Sequence, residues 1–354
     1  MSEKRREMAD RNSSFSVQRS TWKNISFQQI QTASVFILIL VFCTISAILT
    51  PTFLTWRNLV DNLLTNAACL GIIACGMTLV MIAGGFDLSV GATTAVCSVV
   101  AVLLLNGVGE RGGWMAFPVA LGGTLLVGVL LGAVNGVLVS YLGVNPFVVT
   151  LSTLLVFRGL ALILTYGGQS IEVPLSLRES SRLLYWGQAN LFGGAHGVSI
   201  PILIFVGVFI VCLYLLHLTR FGRYLYAVGG NENASWLAGI NTSFVKAVTY
   251  TICGLTCAIT ALIYSAQSNT AQAASYQGLE MKAIASVIVG GTPLGGGSGN
   301  LFRTLNGLLL LLVIENLLTQ FGVPEEYRNI MSGVVILVVV TTDVLVRRTG
   351  KERA

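Results

Sequence analysis

Charge is what this 354-residue sequence has least of: Asp, Glu, Lys and Arg together make 10% of it, against roughly 25% in soluble domains. So little polar surface cannot cover a protein in water, which excludes a soluble globular domain. Histidine is scarcer still, with only His196 and His217. No HExxH pair and no G-x-S-x-G elbow is present, so no hydrolytic constellation can be assembled from local motifs. The seven cysteines, at 43, 69, 75, 97, 212, 253 and 257, all fall inside apolar runs. Cys253 and Cys257 share a helix face, but no second ligand pair accompanies them. They read as small packing residues, and neither a metal nor a cofactor is expected.

What is abundant is apolar length: 54% of residues are hydrophobic and the mean hydropathy is +0.78. The expected fold is an all-α, polytopic transmembrane helical bundle. Runs long enough to act as spans lie near 33–50, 61–83, 88–106, 114–140, 146–166, 199–218, 244–268, 281–294, 304–320 and 330–346. That makes about ten spans, the eighth short and glycine-rich enough to be broken or re-entrant. Lys4, Arg5, Arg6, Arg11, Arg19 and Lys23 precede the first run, and Arg347, Arg348, Lys351 and Arg353 follow the last. The positive-inside tendency then puts both termini in the cytoplasm, which an even number of crossings satisfies. Few aromatics accompany these charges, so they do not read as a nucleic-acid-binding arm. The organisation expected is a basic cytoplasmic tail over 1–32, a permease-like membrane domain over 33–346 and a cytoplasmic tail over 347–354. No cleavable signal peptide is evident, because the polar leader is too long for an n-region and the next run is long enough to remain as an anchor.

Two places interrupt the apolar pattern. Gly84-Gly85-Phe86-Asp87-Leu88-Ser89-Val90-Gly91 sets a carboxylate, a hydroxyl and three glycines between two long runs. Hydrocarbon penalises a broken helix, so such a break belongs where a polar solute or a moving element needs it. Asp87 and Ser89 can cap the helix that follows, which is the structural alternative to a place on a pathway. The second interruption, Gly290-Gly291-Thr292-Pro293-Leu294-Gly295-Gly296-Gly297-Ser298-Gly299, is too rich in glycine for a regular helix and lacks the Lys and spacing of a phosphate-binding loop. A re-entrant turn packed closely around a pore is the preferred reading over a flexible loop. Gly84-Gly85 and Gly290-Gly291 are similar, as are Asn135-Gly136 and Asn306-Gly307, a faint sign of duplication. Arg158 and Glu315 stand alone in apolar spans; they are expected either to pair with each other or to face a water-filled cavity.

The segment 219–243 falls on the inner side, in agreement with Arg220 and Arg223. Within it, Ala234 to Ala238 can form a short helix capped by Asn231 or Asn233 and ended by Gly239. Trp236 and Leu237 exposed on such a helix invite burial by a partner, unless the helix lies on the membrane surface. On the outer side, 167–198 mixes charges with Tyr185 and Trp186 and suits a surface-lying helix or a partner contact.

In this order the motifs resemble the permease subunits of ribose-type ABC importers, a group that also holds branched-chain amino acid permeases. The resemblance runs from about 33 to 346. It rests on Gly84–Gly91, Asn145-Pro146-Phe147 with Thr150-Leu151, Arg158-Gly159, Gly229–Ile240 and Gly290–Gly299. It implies an inner-membrane subunit moving a monosaccharide, with a second permease subunit completing the pathway and a periplasmic sugar-binding protein delivering the cargo. It also implies a cytosolic ABC ATPase docked on the loop that includes Gly230, Asn231, Glu232, Ala234, Trp236, Leu237, Gly239 and Ile240; the chain has no Walker A motif with which to hydrolyse ATP. Gly84, Gly85, Asp87, Ser89, Gly91, Asn145, Pro146, Arg158, Gly290, Gly291 and Glu315 are the positions expected at the pathway or its helix breaks. The chain departs from the family pattern at Phe86, where Ile is common, at Trp236, often a basic position, and at Lys282, usually acidic. The rival readings are a branched-chain amino acid permease and an ion-coupled secondary transporter with Arg158 and Glu315 as its coupling pair.

Overall fold

The computed structural model describes residues 27–112, 115–180, 190–191 and 197–324, with single positions and pairs between 327 and 341. It is built of helices: α1 (Phe27–Leu49), a π-helical stretch (Arg57–Leu64), α2 (Thr65–Ile82), α3 (Val90–Gly112), α4 (Ala116–Ser140), α5 (Pro146–Leu164), α6 (Leu175–Ser180), α7 (Ile200–Leu218), α8 (Arg220–Gly230), α9 (Glu232–Leu237), α10 (Thr242–Ser268), α11 (Leu279–Val289) and α12 (Leu301–Gln320). The β structure among the described residues is two antiparallel pairings of two-residue strands, β1 (Ile171–Glu172) with β4 (Thr270–Ala271) and β2 (Asn190–Leu191) with β3 (Val198–Ser199).

Seven helical segments among the described residues are long and apolar enough to cross a membrane: Arg57–Ile82, Val90–Gly109, Ala116–Ser140, Pro146–Leu164, Ile200–Leu218, Thr242–Ser268 and Leu301–Gln320. The expected run 33–50 falls in α1, whose apolar part, Val35–Leu49, is a shorter apolar helix. The run 281–294 is a helix of 11 residues followed by a turn, spanning about 16 Å against the ~30 Å of a hydrocarbon core. The run 330–346 lies largely outside the described residues, as does most of the tail beyond it. The segment 167–198 carries the short α6, while 181–189 and 192–196 lie outside the described residues.

Burial orders these helices into layers. α2 is buried on all sides, from Ala67 to Ile82, as its unbroken apolar composition requires. α7 is equally apolar but mostly exposed, the condition of a helix facing lipid. α7 packs on α2, a Cβ on Gly71 standing 2.6 Å from the Phe205 ring, while α4 and α10 pack with their backbones in near contact. A Cβ on Gly128 would stand 2.5 Å from the Gly254 carbonyl, one on Gly132 2.4 Å from that of Tyr250 and one on Gly136 2.7 Å from that of Ala247. Glycines at i, i+4 and i+8 thus clear a groove along α4, the small-residue device of membrane helix pairs.

Candidate functional site

The break after α2 forms by local rules. Gly84 takes φ +83°, a left-handed conformation open to glycine at no steric penalty. It closes the helix with Gly84 N–H to the Met81 carbonyl (3.0 Å) and Gly85 N–H to the Val80 carbonyl (3.0 Å). The break after α11 repeats the pattern: Gly291 has φ +91°, with bonds from Gly291 N–H to Ile288 (2.7 Å) and Thr292 N–H to Val287 (3.1 Å). The structural equivalent of Gly84 is therefore Gly291, one position along from the sequence match.

Asp87 sits in the first break, 2% exposed. Its Oδ1 accepts from the Ser89 N–H (2.8 Å) and the Ser89 hydroxyl (2.6 Å). Asn135 on α4 donates its Nδ2 to Ser89 Oγ at 2.8 Å and lies 3.4 Å from both carboxylate oxygens. The Tyr250 hydroxyl on α10 donates to the Phe86 carbonyl at 3.2 Å. Burial pushes the Asp87 carboxyl above its ordinary value, opposed by the hydrogen bonds from Ser89 and Asn135. The carboxylate thus caps the entry to α3 and ties the break to α4. Gly85 and Gly91 are packing positions beside it: a Cβ would meet the Tyr250 hydroxyl at 2.5 Å and Glu280 Oε2 at 2.3 Å respectively.

The two breaks and the 219–243 loop meet at one point, backbone to backbone. Gly297 N–H donates to the Ile82 carbonyl at 2.9 Å. A Cβ on Gly229 would stand 1.8 Å from that same carbonyl oxygen, one on Gly296 2.6 Å from Gly84 Cα, and one on Gly297 2.7 Å from Gly230 Cα. The Tyr226 hydroxyl adds a bond to the Gly299 carbonyl at 2.9 Å. So the C-terminal end of α2, the C-terminal end of α8 and the glycine block after α11 form a single junction. The crossing of Gly229 with Ile82 and Gly297 was invisible in the sequence.

From this junction the chain runs directly into α9. Asn231 caps it, its Oδ1 accepting from Ala234 N–H at 2.9 Å, and Gly239 ends it with φ +83°. Glu232 pairs with Lys246 on α10. Ser235 is buried and Ile240 packs inward, while Trp236 and Leu237 are 67% and 77% exposed. α9 therefore stands on the protein with one face fixed and an aromatic–aliphatic pair presented outward. The helix preceding it, α8, was not anticipated; Gly222, Gly229 and Gly230 weaken its propensity, and tertiary packing supplies it.

The remaining expected positions lie apart. Asn145 is exposed and caps α5 by accepting from Phe147 N–H at 2.9 Å, with Pro146 as the first helical residue. Arg158 and Glu315 do not pair. Arg158 on α5 donates through one terminal nitrogen to the carbonyls of Ala273 and Ser275 (2.8 Å for the latter), tying down the connection before α11. Glu315 on α12 instead accepts from Lys282 Nζ on α11 at 2.6 Å. The expected pair is replaced because each group finds another partner: Arg158 the carbonyls of the α10–α11 connection and Glu315 the lysine of α11. Lys282, suspected only as a departure from the family pattern, is the true counter-ion, and both line a cavity of about 450 Å³.

Comparison with known proteins gives the arrangement a lineage. Residues 59–340 match the family model described as branched-chain amino acid transport system / permease component. The chain is 38% identical to the ribose import permease protein of Escherichia coli (strain K12) over 87% of its own length and 92% of the relative. It is 37% identical to the ribose import permease protein of Bacillus subtilis (strain 168), over 91% and 95% of the two chains. The D-allose transport system permease protein of Escherichia coli (strain K12) is 30% identical over 88% and 91%. No solved structure matches the chain. With most of its length covered by the family model and by these relatives, the chain belongs to the family of ABC transport-system permease components.

Proposed function

We propose that this chain is the membrane-spanning permease subunit of an ATP-driven ABC importer that carries a monosaccharide, a pentose or similar sugar, into the cytoplasm by alternating access. The observation that carries the reading is the mounting of α9: an outward-facing Trp236–Leu237 pair on a capped helix whose root, Gly229-Gly230, touches both breaks in the membrane helices. A cytosolic ATPase docking there drives a movement that reaches Ile82 and Gly297 through backbone contact alone. ATP hydrolysis belongs to that separate subunit. A periplasmic sugar-binding protein delivers the solute, and a second permease subunit, identical or paralogous, completes the pathway. The basic tails keep both termini in the cytoplasm. The names of the relatives, ribose and allose permeases, support a sugar over a branched-chain amino acid. The Lys282–Glu315 bond removes the Arg158–Glu315 pair on which an ion-coupled mechanism was to rest.

Reconstitution of the permease with its ATPase and binding protein in liposomes tests the reading. Uptake of D-ribose or D-allose is expected only with ATP, ATPase and binding protein together. Sugar uptake driven by an ion gradient without the ATPase, or ATP-driven uptake of leucine in place of sugars, would refute it.

A further inference from the structure

The Asp87 site and the glycine junction leave one large feature without a role: the open-mouthed cavity lined by the π-helical stretch, the start of α2, α10, α11 and α12. At about 450 Å³ it falls in the range of small-molecule sites. Its wall along Arg57–Leu64 and the start of α2 carries Asn58, Asn62 and Asn66, on successive turns of one face. Asn58 is held by a reciprocal amide pair with Asn316, at 3.1 and 3.0 Å, and by its bond to the Phe53 carbonyl at 3.0 Å. Asn62 and Asn66 are exposed. π-Helical turns are uncommon and concentrate at functional sites.

Across the cavity stands the Lys282–Glu315 pair, with Nζ and Oε1 at 2.6 Å. A lysine ammonium has three donors and a carboxylate accepts on two oxygens, so one mutual bond leaves capacity on both groups. Tyr264 from α10 supplies an aromatic surface, and Arg328, which donates to Thr319 Oγ1, completes the charged lining. Arg328 Nε is buried without a partner among the described residues.

We infer that this cavity is the permease's own station for its cargo, and that it takes a neutral polyhydroxylated molecule. A hydroxyl both donates and accepts, and a vicinal pair of hydroxyls is matched by an adjacent donor and acceptor, which Lys282 and Glu315 provide. The amides of Asn62 and Asn66, each donor and acceptor at once, face them. The inference rests on the sugar-importer reading and adds to it the place where the sugar is held.

The test uses the full permease with its ATPase and binding protein in proteoliposomes, with radiolabelled D-ribose as the probe. Glu315→Gln, Asn62→Ala and the exchange Lys282→Glu/Glu315→Lys are compared with the unaltered chain for maximal uptake rate at saturating binding protein and for ATP hydrolysis. Each is expected to lower uptake about tenfold, the scale of losing a hydrogen bond to a charged or buried polar group, while ATP hydrolysis persists. Asn62→Ala breaks no ion pair, so it decides the matter if Glu315→Gln fails to reach the membrane. Undiminished uptake in Asn62→Ala, or full recovery in the exchanged pair, would overturn the cavity assignment and leave the importer reading intact. Absence of sugar uptake by the unaltered complex would instead sink the importer reading.

Discussion

Two adjacent glycines allow the junction to be tested with the same chemical change. Gly229→Ala places a methyl group 1.8 Å from the Ile82 carbonyl oxygen and 2.6 Å from Gly297 N. Both neighbours are main chain, so no rotamer change relieves the overlap. Restoring ordinary contact near 3.5 Å requires the strands of backbone to part by roughly 1.5 Å. That movement breaks the 2.9 Å bond from Gly297 N–H to Ile82. The overpacking term is ~1–3 kcal/mol and the lost hydrogen bond about 1 kcal/mol, for a destabilisation of about 2–4 kcal/mol. Gly230→Ala, one residue on, finds nothing within 4 Å and gains helix propensity of up to ~1 kcal/mol. Thermal unfolding of the solubilised permease, paired with ATP-driven uptake in liposomes, reads both effects. Gly229→Ala is expected to lower the unfolding temperature and abolish uptake, and Gly230→Ala to leave both near normal. Equal behaviour of the two variants would refute the junction.

Asp87→Ala strands the Ser89 N–H and hydroxyl donors in a buried site and is expected to destabilise the protein by about 1–3 kcal/mol, measured by thermal unfolding. Asp87→Asn keeps an acceptor at Oδ1 and sheds the charge that burial disfavours, so it should retain most of that stability; an equal loss in both would remove Asp87 from its capping role. Gly239→Pro cannot adopt φ +83° and loses the N–H that donates to the Trp236 carbonyl at 2.9 Å. It should abolish uptake with the protein still present in the membrane, and Trp236→Asp should do the same by spoiling the exposed face; normal uptake by either would argue against docking at α9.

What was legible in the sequence is what short-range chemistry decides. The spans follow from apolar length. The ends of α9 follow from Asn231 and Gly239, a side-chain acceptor before the helix and a left-handed residue after it. The shortness of α11 was visible too, because Gly290 and Gly291 cut its run. Partnerships across sequence distance were not legible. Nothing near Glu315 indicates that Lys282, 33 residues back, outcompetes Arg158, because the choice depends on which helices are neighbours. Asn135 reaches Asp87 across 48 residues, and the sequence offered it only as half of an Asn-Gly repeat. One long-range feature does carry a local signal: Gly128, Gly132 and Gly136 at four-residue spacing announce close packing of α4.

The position of α11 joins the two halves of the molecule's chemistry. It is a helix of 11 residues with a left-handed glycine near each end, Gly278 at φ +80° and Gly291 at φ +91°. Its first turns carry Lys282 into the cavity, and beyond Gly291 the chain continues to the glycine block that touches Ile82, Gly84 and Gly229. A rod of about 16 Å between two glycines is poorly suited to bending and well suited to pivoting, since terminal residues absorb the change in φ and ψ. On the proposed docking at α9, a backbone route leads from there to the cavity wall: Gly229 lies against Ile82 and Gly297, and the glycine block leads back through the turn at Gly291 to α11, which carries Lys282. The 2.6 Å Lys282–Glu315 pair at that wall then stands on the route by which the proposed docking at α9 would reach the groups proposed to hold a sugar, with the long helices left undeformed.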